Sequence, residues 1–359
     1  MGTIRDYIKW RGDLEFERDS FNVIDNLILS VVSYVEMDGL FDSDEAEPHT
    51  IAEISKAYFA DRYDEKKYKE GSVLYDAPLI LRDIANTRRF RKVKVQNYLS
   101  LNDTKRTLQF AAMEFLLPDG TGYVAFRGTD DTLVGWKEDF MLAVRETEAE
   151  KEAASYINRI ASTDDRPLIL GGHSKGGHLA VFAAAECDGR YRDRIMTVYS
   201  NDGPGFTEVY ASGKAIRDVT PKLISIIPED SIVGLLMKPV VKPIVVKSTA
   251  KYAYQHNPAS WCLEGTKLDH IASVSKTAKY MDKLLKDNLG KMTPEELDVF
   301  AEDLFAVFES TGAMTVTELK KGGLRSLRIM AAGLRKAEKG ERGDGSSVHK
   351  LCFHEGGEK

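Results

Sequence analysis

Arg166–Glu186 reads RPLILGGHSKGGHLAVFAAAE, and this stretch decides the fold. Leu168, Ile169 and Leu170 form a short apolar run of the kind a buried strand shows. Gly172-His173-Ser174-Lys175-Gly176 then fits the G-x-S-x-G nucleophile elbow, and Gly177–Ala185 continues as a helix of small residues. A strand that turns straight into a helix strains its turn residue and crowds the neighbouring positions. Glycine at 172, 176 and 177 removes the crowding. The product is a serine hydroxyl at a helix N-terminus with backbone N–H groups beside it. The competing account is a glycine-rich strand–helix turn whose serine merely caps the helix.

The 359 residues suffice for one large domain or two of ordinary size. A chain 43% hydrophobic and 30% charged is a globular protein with a full core. The net charge of −6 argues against nucleic acid as the main partner. Cys187, Cys262 and Cys352 are scattered and have no metal-ligand spacing, which fits a reducing compartment. The N-terminus, MGTIRDYIKWRGDLEFERDS, has no apolar signal-like core, and no apolar run is long enough to cross a bilayer. The expected location is cytoplasmic.

Phe21–Leu40 carries apolar residues at helical spacing, Thr50–Ala60 and Tyr75–Arg88 read as helices, and Lys92–Ser100 reads as a strand. Thr107–Leu117 and Thr121–Phe126 are strands joined by the turn Pro118-Asp119-Gly120. Helices are expected over Trp136–Ser162, then the elbow, then strands at Arg194–Tyr199 and Lys222–Ile227. This rhythm predicts an α/β fold: a mainly parallel sheet with helices on both faces. A further helix is expected over Asp269–Asn288. Thr293-x-x-Glu296 and Thr315-x-x-Glu318 are capping-box signatures opening amphipathic runs, and Gly340–Lys359 reads as a disordered tail. The expected division is therefore a domain over 1–290, a helical extension over 291–339 and a tail over 340–359.

A serine hydroxyl needs an imidazole to take its proton and a carboxylate to orient that imidazole. In an α/β-hydrolase the chain order is Ser, then Asp or Glu, then His. Each should stand just past the C-terminal end of a strand. Asp202 and Asp230 both qualify, and Asp230 is preferred because it lies further from the elbow strand and nearer the candidate histidines. Asp202, in SNDGPG, reads as a turn former in the pocket wall. Asp230 has its own structural alternative, an Asx turn or helix cap. Among seven histidines, His173 and His178 belong to the elbow, His49 precedes it, and His349 and His354 fall in the tail. That leaves His256, in a loop with Asn257 and Pro258, as the expected base, with His270 as the alternate. The oxyanion needs two N–H donors, expected from Lys175 directly after the nucleophile and from Thr129 in the phrase YVAFRGTDD, the latter through backbone N–H and hydroxyl. Asp139 is expected to brace that loop by pairing with Arg127.

AFRGT at 125–129, Trp136 with Asp139, GHSKGG at 172–177, Val198–Gly205 and DSIV at 230–233 together resemble the class 3, or fungal-type, lipase-like α/β-hydrolases. More narrowly, GHSKGG, NDGPGF at 201–206 and His256–Trp261 resemble a bacterial branch described as a domain of unknown function, with Asn257 where that branch has Asp in its HDP-x-SW phrase. The resemblance spans most of residues 1–290. It implies Ser174 as nucleophile, Asp230 as acid and Thr129 at the oxyanion-loop position. Class 3 lipases place the histidine late, as at His270, whereas the bacterial branch points to His256. Lys175 stands where lipases carry an apolar residue, placing a cation beside the nucleophile.

The apolar run Ile232–Val246 reads either as a lid or acyl-pocket wall, or as a crossover with a buried strand. Leu319–Lys339 is basic on one face, which reads as a solvated helix face, with peripheral contact to an anionic membrane as the alternative. The expectation is a cytoplasmic serine esterase acting on a small-molecule or lipid ester through an acyl-enzyme, needing no metal or organic cofactor. A non-catalytic binding module of the same fold, and an acyltransferase or thioesterase, remain open beside it.

Overall fold

The computed structural model describes residues 2–40, 48–130, 133–142 and 145–289. The expected capping boxes at Thr293 and Thr315, the basic run Leu319–Lys339 and the tail lie outside the described residues.

Four helices come first in the chain: α1 (Ile4–Arg11), α2 (Val23–Val32), α3 (Ile51–Asp61) and α4 (Val73–Ala85), with the two-residue strand β1 (His49–Thr50) between α2 and α3. The sheet then grows through β2 (Lys94–Asp103), β3 (Leu108–Leu116) and β4 (Gly122–Phe126). Next come α5 (Leu133–Met141), α6 (Glu148–Ala161), β5 (Leu168–His173), α7 (Lys175–Glu186), α8 (Gly189–Arg192) and β6 (Ile195–Asn201). After α9 (Glu208–Ala211) and α10 (Lys214–Val219) follow β7 (Leu223–Pro228) and β8 (Ile244–Val246). A small hairpin, β9 (Leu263–Glu264) with β10 (Lys267–Leu268), precedes β11 (His270–Ile271) and α11 (Lys276–Leu289).

The nine-stranded sheet has the order β1-β2-β3-β4-β5-β6-β7-β8-β11. β2, β3 and β4 run antiparallel, and β4 through β8 run parallel. The architecture is that of an α/β-hydrolase fold, as the sequence predicts. Strand side chains alternate between two cores, one on each face. Tyr123, Ala125, Ile169 and Tyr199 join the helices α1 to α4 in one. Val124, Phe126, Leu168, Leu170 and Val198 join α6, α7 and α10 in the other. No helix among the described residues is long and apolar enough to cross a membrane.

The helix expected over Asp269–Asn288 is corrected: His270–Ile271 pairs with β8 as the edge strand β11, and the helix begins only at Lys276. The helices expected over Trp136–Ser162 are α5 and α6, the second opened by a capping box in which Thr147 and Glu150 satisfy each other's backbone N–H. The run Ile232–Val246 is a crossover: it holds a short 3-10 turn and ends in β8, which adds to the sheet beside β7. On the way it pairs with the loop after β6, through Phe206 N–H to Lys238 O at 3.0 Å and Gly205 N–H to Leu236 O at 2.9 Å.

The fold aligns the strand ends through a buried polar cluster. α2 is almost wholly buried, yet it carries Asn26 and Ser30. These face Asn201, the last residue of β6. The Asn201 amide donates to Ser30 Oγ and to Gly172 O, both at 3.0 Å, and receives the Asn26 amide on Oδ1 at 3.0 Å. Tyr123 Oη closes the set on Asn26 Oδ1 at 2.8 Å. Buried amides with every partner made fix one geometry, because any shift strands a donor in the core. Replacing Asn201 by Leu should therefore lower stability by about 2–3 kcal/mol. Urea denaturation measures this, and an unchanged midpoint contradicts it.

Candidate active site

The sharp turn after β5 is possible only because of two close approaches. A Cβ on Gly172 would sit 2.3 Å from the backbone of Gly176, and a Cβ on Gly176 would sit 2.1 Å from Phe126 O. No side chain fits either gap. Between them Ser174 adopts φ 58° and ψ −130°, a region non-glycine residues avoid at a cost of about 1–3 kcal/mol. Ser174 stands at the N-cap position of α7, but its hydroxyl makes no capping bond to the helix. Its backbone N–H is held by Asn201 O at 3.0 Å, tying the elbow to the end of β6. Lys175 opens α7, so its N–H has no partner within the helix.

Asp202 is the next residue after β6, the strand directly beside the elbow strand. It is fully buried and accepts three hydrogen bonds. Ser231 Oγ donates at 2.5 Å and Gly234 N–H at 3.1 Å to Oδ1, and His256 Nδ1 donates at 2.7 Å to Oδ2. The His256 side chain remains 31% exposed while the carboxylate it meets is dry. His256 ends a 3-10 turn, Tyr252–His256. Its neighbour Asn257 is anchored by Nδ2 to Asp76 Oδ2 at 2.6 Å and to Gly71 O at 3.1 Å.

Asp230, the expected acid, does not meet His256. It follows β7, one strand further out, and it grips the residue before the histidine. Gln255 Nε2 donates to Asp230 Oδ2 at 3.0 Å and Gln255 Oε1 accepts the Asp230 N–H at 3.0 Å. Asp230 Oδ1 accepts from Ser275 Oγ, the residue just before α11, at 2.5 Å. Its place is thus to dock the loop that carries the imidazole. The alternate base, His270, lies on the outermost strand β11, paired with Val246, and is exposed. Four strand spacings separate β11 from β5, about 19 Å.

Sequence reasoning weighed Asp202 and passed it over for Asp230 as the partner of His256. The signal was present: an aspartate directly past the strand that neighbours the elbow strand. Strand order, which makes the two adjacent, was not.

The residues expected on the oxyanion side also differ in detail. Thr129 Oγ1 donates to Asp139 Oδ2 at 2.5 Å, so the hydroxyl is committed and only the backbone N–H of Thr129 is left to offer. Asp139 therefore braces this loop through Thr129, and not through Arg127, whose Nη2 donates to Ser100 Oγ at 3.3 Å. Lys175 does not present a cation to Ser174. Its ammonium is buried on Gln109 O at 2.7 Å, Gln109 Oε1 at 2.5 Å and Glu138 Oε2 at 3.0 Å. Glu138 also accepts the N–H groups of Gln109 at 3.1 Å and Ala149 at 2.9 Å. The side chain thus fastens the start of α7 to β3, α5 and α6. A buried ion pair of this kind is costly to form and costlier to break on one side.

Desolvation pushes the Asp139 carboxyl up to about 6, against the opposing pull of Lys175 and the Thr129 hydroxyl.

Two outcomes follow from this geometry. Ser174→Gly relieves the strained backbone whereas Ser174→Ala keeps it, so the glycine variant should be the more stable by about 1 kcal/mol in urea denaturation; equal midpoints contradict the strain. Asp139 holds its proton more tightly folded than unfolded, so its stabilising contribution is full below about pH 4 and is lost as pH rises through about 6. Asp139→Asn should flatten the stability–pH curve across that window, by at most about 3 kcal/mol. Parallel curves for the two proteins would contradict the shift.

A family model described as Mbeg1-like matches residues 84–306, more than half of the chain. No curated protein sequence matches significantly. Among solved structures, a mutant form of MDLA from Penicillium cyclopium is similar at 11% identity and TM-score 0.40, covering 71% of this chain and 87% of that one. A triacylglycerol lipase, described as having a serine protease triad at its catalytic centre, is similar at 14% identity and TM-score 0.39, covering 71% and 86%.

Proposed function

We propose that this chain, which belongs to the Mbeg1-like family, is a serine hydrolase that cleaves carboxylic esters of small molecules or lipids. The observation that carries the reading is the 2.7 Å bond from His256 Nδ1 to the buried Asp202, set on the strand end beside the strained Ser174. A carboxylate on Nδ1 fixes the tautomer and leaves Nε2 as the base.

In this reading Ser174 Oγ attacks the acyl carbon while His256 Nε2 takes its proton. Asp202 orients the ring and stabilises the imidazolium that forms. The backbone N–H groups of Lys175 and Thr129 hold the oxyanion, and an acyl-serine results as the alcohol leaves with the proton from His256. Water, deprotonated by His256, then attacks the acyl carbon, and the acyl–oxygen bond breaks as His256 returns the proton to Ser174 Oγ and the acid departs. Asp230 acts through Gln255 by docking the loop, and Asp139 acts through Thr129 by fixing the oxyanion turn.

A fluorophosphonate probe and a panel of nitrophenyl esters of varied chain length test this. Wild type should label and turn over, and Ser174→Ala should do neither. Asp202→Asn should lower turnover by about 10³–10⁴-fold, and Asp230→Asn by less than about tenfold. Folded wild-type protein that neither labels nor hydrolyses any ester removes the reading. Equal losses in the two aspartate variants remove the assignment of Asp202.

A further inference from the structure

On the reading just proposed, we further propose that His173, the elbow's own imidazole, is a positioning residue that with Tyr34 holds the backbone of the base. Among the described residues the His256 ring makes one hydrogen bond, to Asp202, and a single hydrogen bond leaves an imidazole on a loop free to pivot. A second constraint acts on its carbonyl. His173 Nε2 lies 2.6 Å from His256 O, and His173 Nδ1 lies 2.9 Å from Tyr34 Oη.

The chemistry of these contacts is fixed by their partners. A carbonyl oxygen only accepts, so Nε2 of His173 carries the proton. The neutral ring then presents Nδ1 as an acceptor, and the Tyr34 hydroxyl donates to it. Burial, and the neighbouring His256, both hold His173 well below the usual imidazole range, which keeps this neutral form in place. The two rings also pack, with centroids 4.4 Å apart and planes at 44°.

Tyr34 carries the constraint to the far side of the site. A Cβ on Gly128 would come within 2.0 Å of Tyr34 Oη and 2.5 Å of His173 O, so the oxyanion turn is seated directly on this pair. Tyr34 and His173 thus touch the oxyanion turn, the elbow and the base together. Histidine suits position 173 because it donates at one ring atom and accepts at another, across a fixed span. Leucine does neither. Glutamine places an N–H close to the position of Nε2, so it can restore the bond to His256 O.

The test measures fluorophosphonate labelling rates, and kcat and KM on an ester that wild type hydrolyses, for wild type, Ser174→Ala, His173→Leu, His173→Gln and Tyr34→Phe, each checked for folding by circular dichroism. A displacement of about 1 Å costs about 100-fold, so His173→Leu should lose about that much in labelling rate and kcat with KM within about twofold. His173→Gln should recover to within about tenfold of wild type, and Tyr34→Phe should lose about five- to tenfold in kcat. Folded His173→Leu that labels at the wild-type rate overturns the inference, as does a kcat loss that glutamine fails to recover. Should the leucine variant not fold, Tyr34→Phe with wild-type kcat overturns it. Wild type lacking any Ser174-dependent labelling overturns the hydrolase reading and this inference with it, and so is told apart from failure of the inference alone.

Discussion

A carboxylate with no exposed surface survives only if donors replace its water. Asp202 collects three of them, from Ser231, Gly234 and His256. Much of the surrounding structure can be understood as the means of bringing those donors together. The crossover after β7 supplies Ser231 and Gly234 and seals the carboxylate from solvent. The same crossover then pairs with the loop after β6, so the lid-like apolar run of the sequence is the cover over Asp202. The third donor comes from a loop docked by Asp230 through Gln255, by Asp76 through Asn257, and by His173 through the His256 carbonyl. Three anchors on three successive residues leave the imidazole little choice of position.

The second constraint is local. β5, β4 and the start of α7 approach so closely that Gly172 and Gly176 have no room for a Cβ. That crowding forces Ser174 into its strained conformation, and the Asn201 network on α2 keeps β5 and β6 level. Strain at one residue is tolerated because the backbone on both sides is over-determined. Lys175 adds to this from the other face, with a buried ammonium that ties α7 to β3, α5 and α6. The residue that departs from the lipase pattern is thus part of the frame.

The sheet and its elbow were legible because they depend on local pattern. Alternation in Thr121–Phe126, the apolar run before the elbow and the three glycines each report on their own surroundings. His256 stood out by elimination and by its loop, and the structure sets it on Asp202. Asp202 did not stand out, because the reasoning that favoured Asp230 used distance along the chain. Asp202 lies 54 positions from His256, while Asp230 sits close to it in sequence. Sheet order reverses this: β6 lies against the elbow strand and β7 one place beyond. The roles of Lys175, Asp139 and His173 were hidden for a related reason. Each depends on which polar atom a side chain meets across elements, as when Lys175 reaches Gln109, 66 positions away. No periodicity encodes that.

The most direct test is a crystal structure of the protein after reaction with a fluorophosphonate. The account predicts phosphorus bonded to Ser174 Oγ, the phosphoryl oxygen between the N–H groups of Lys175 and Thr129, and His256 Nε2 within hydrogen-bond reach of the adduct while Nδ1 stays on Asp202. An adduct in which His256 turns away from Ser174, or engages Asp230 in place of Asp202, would contradict it.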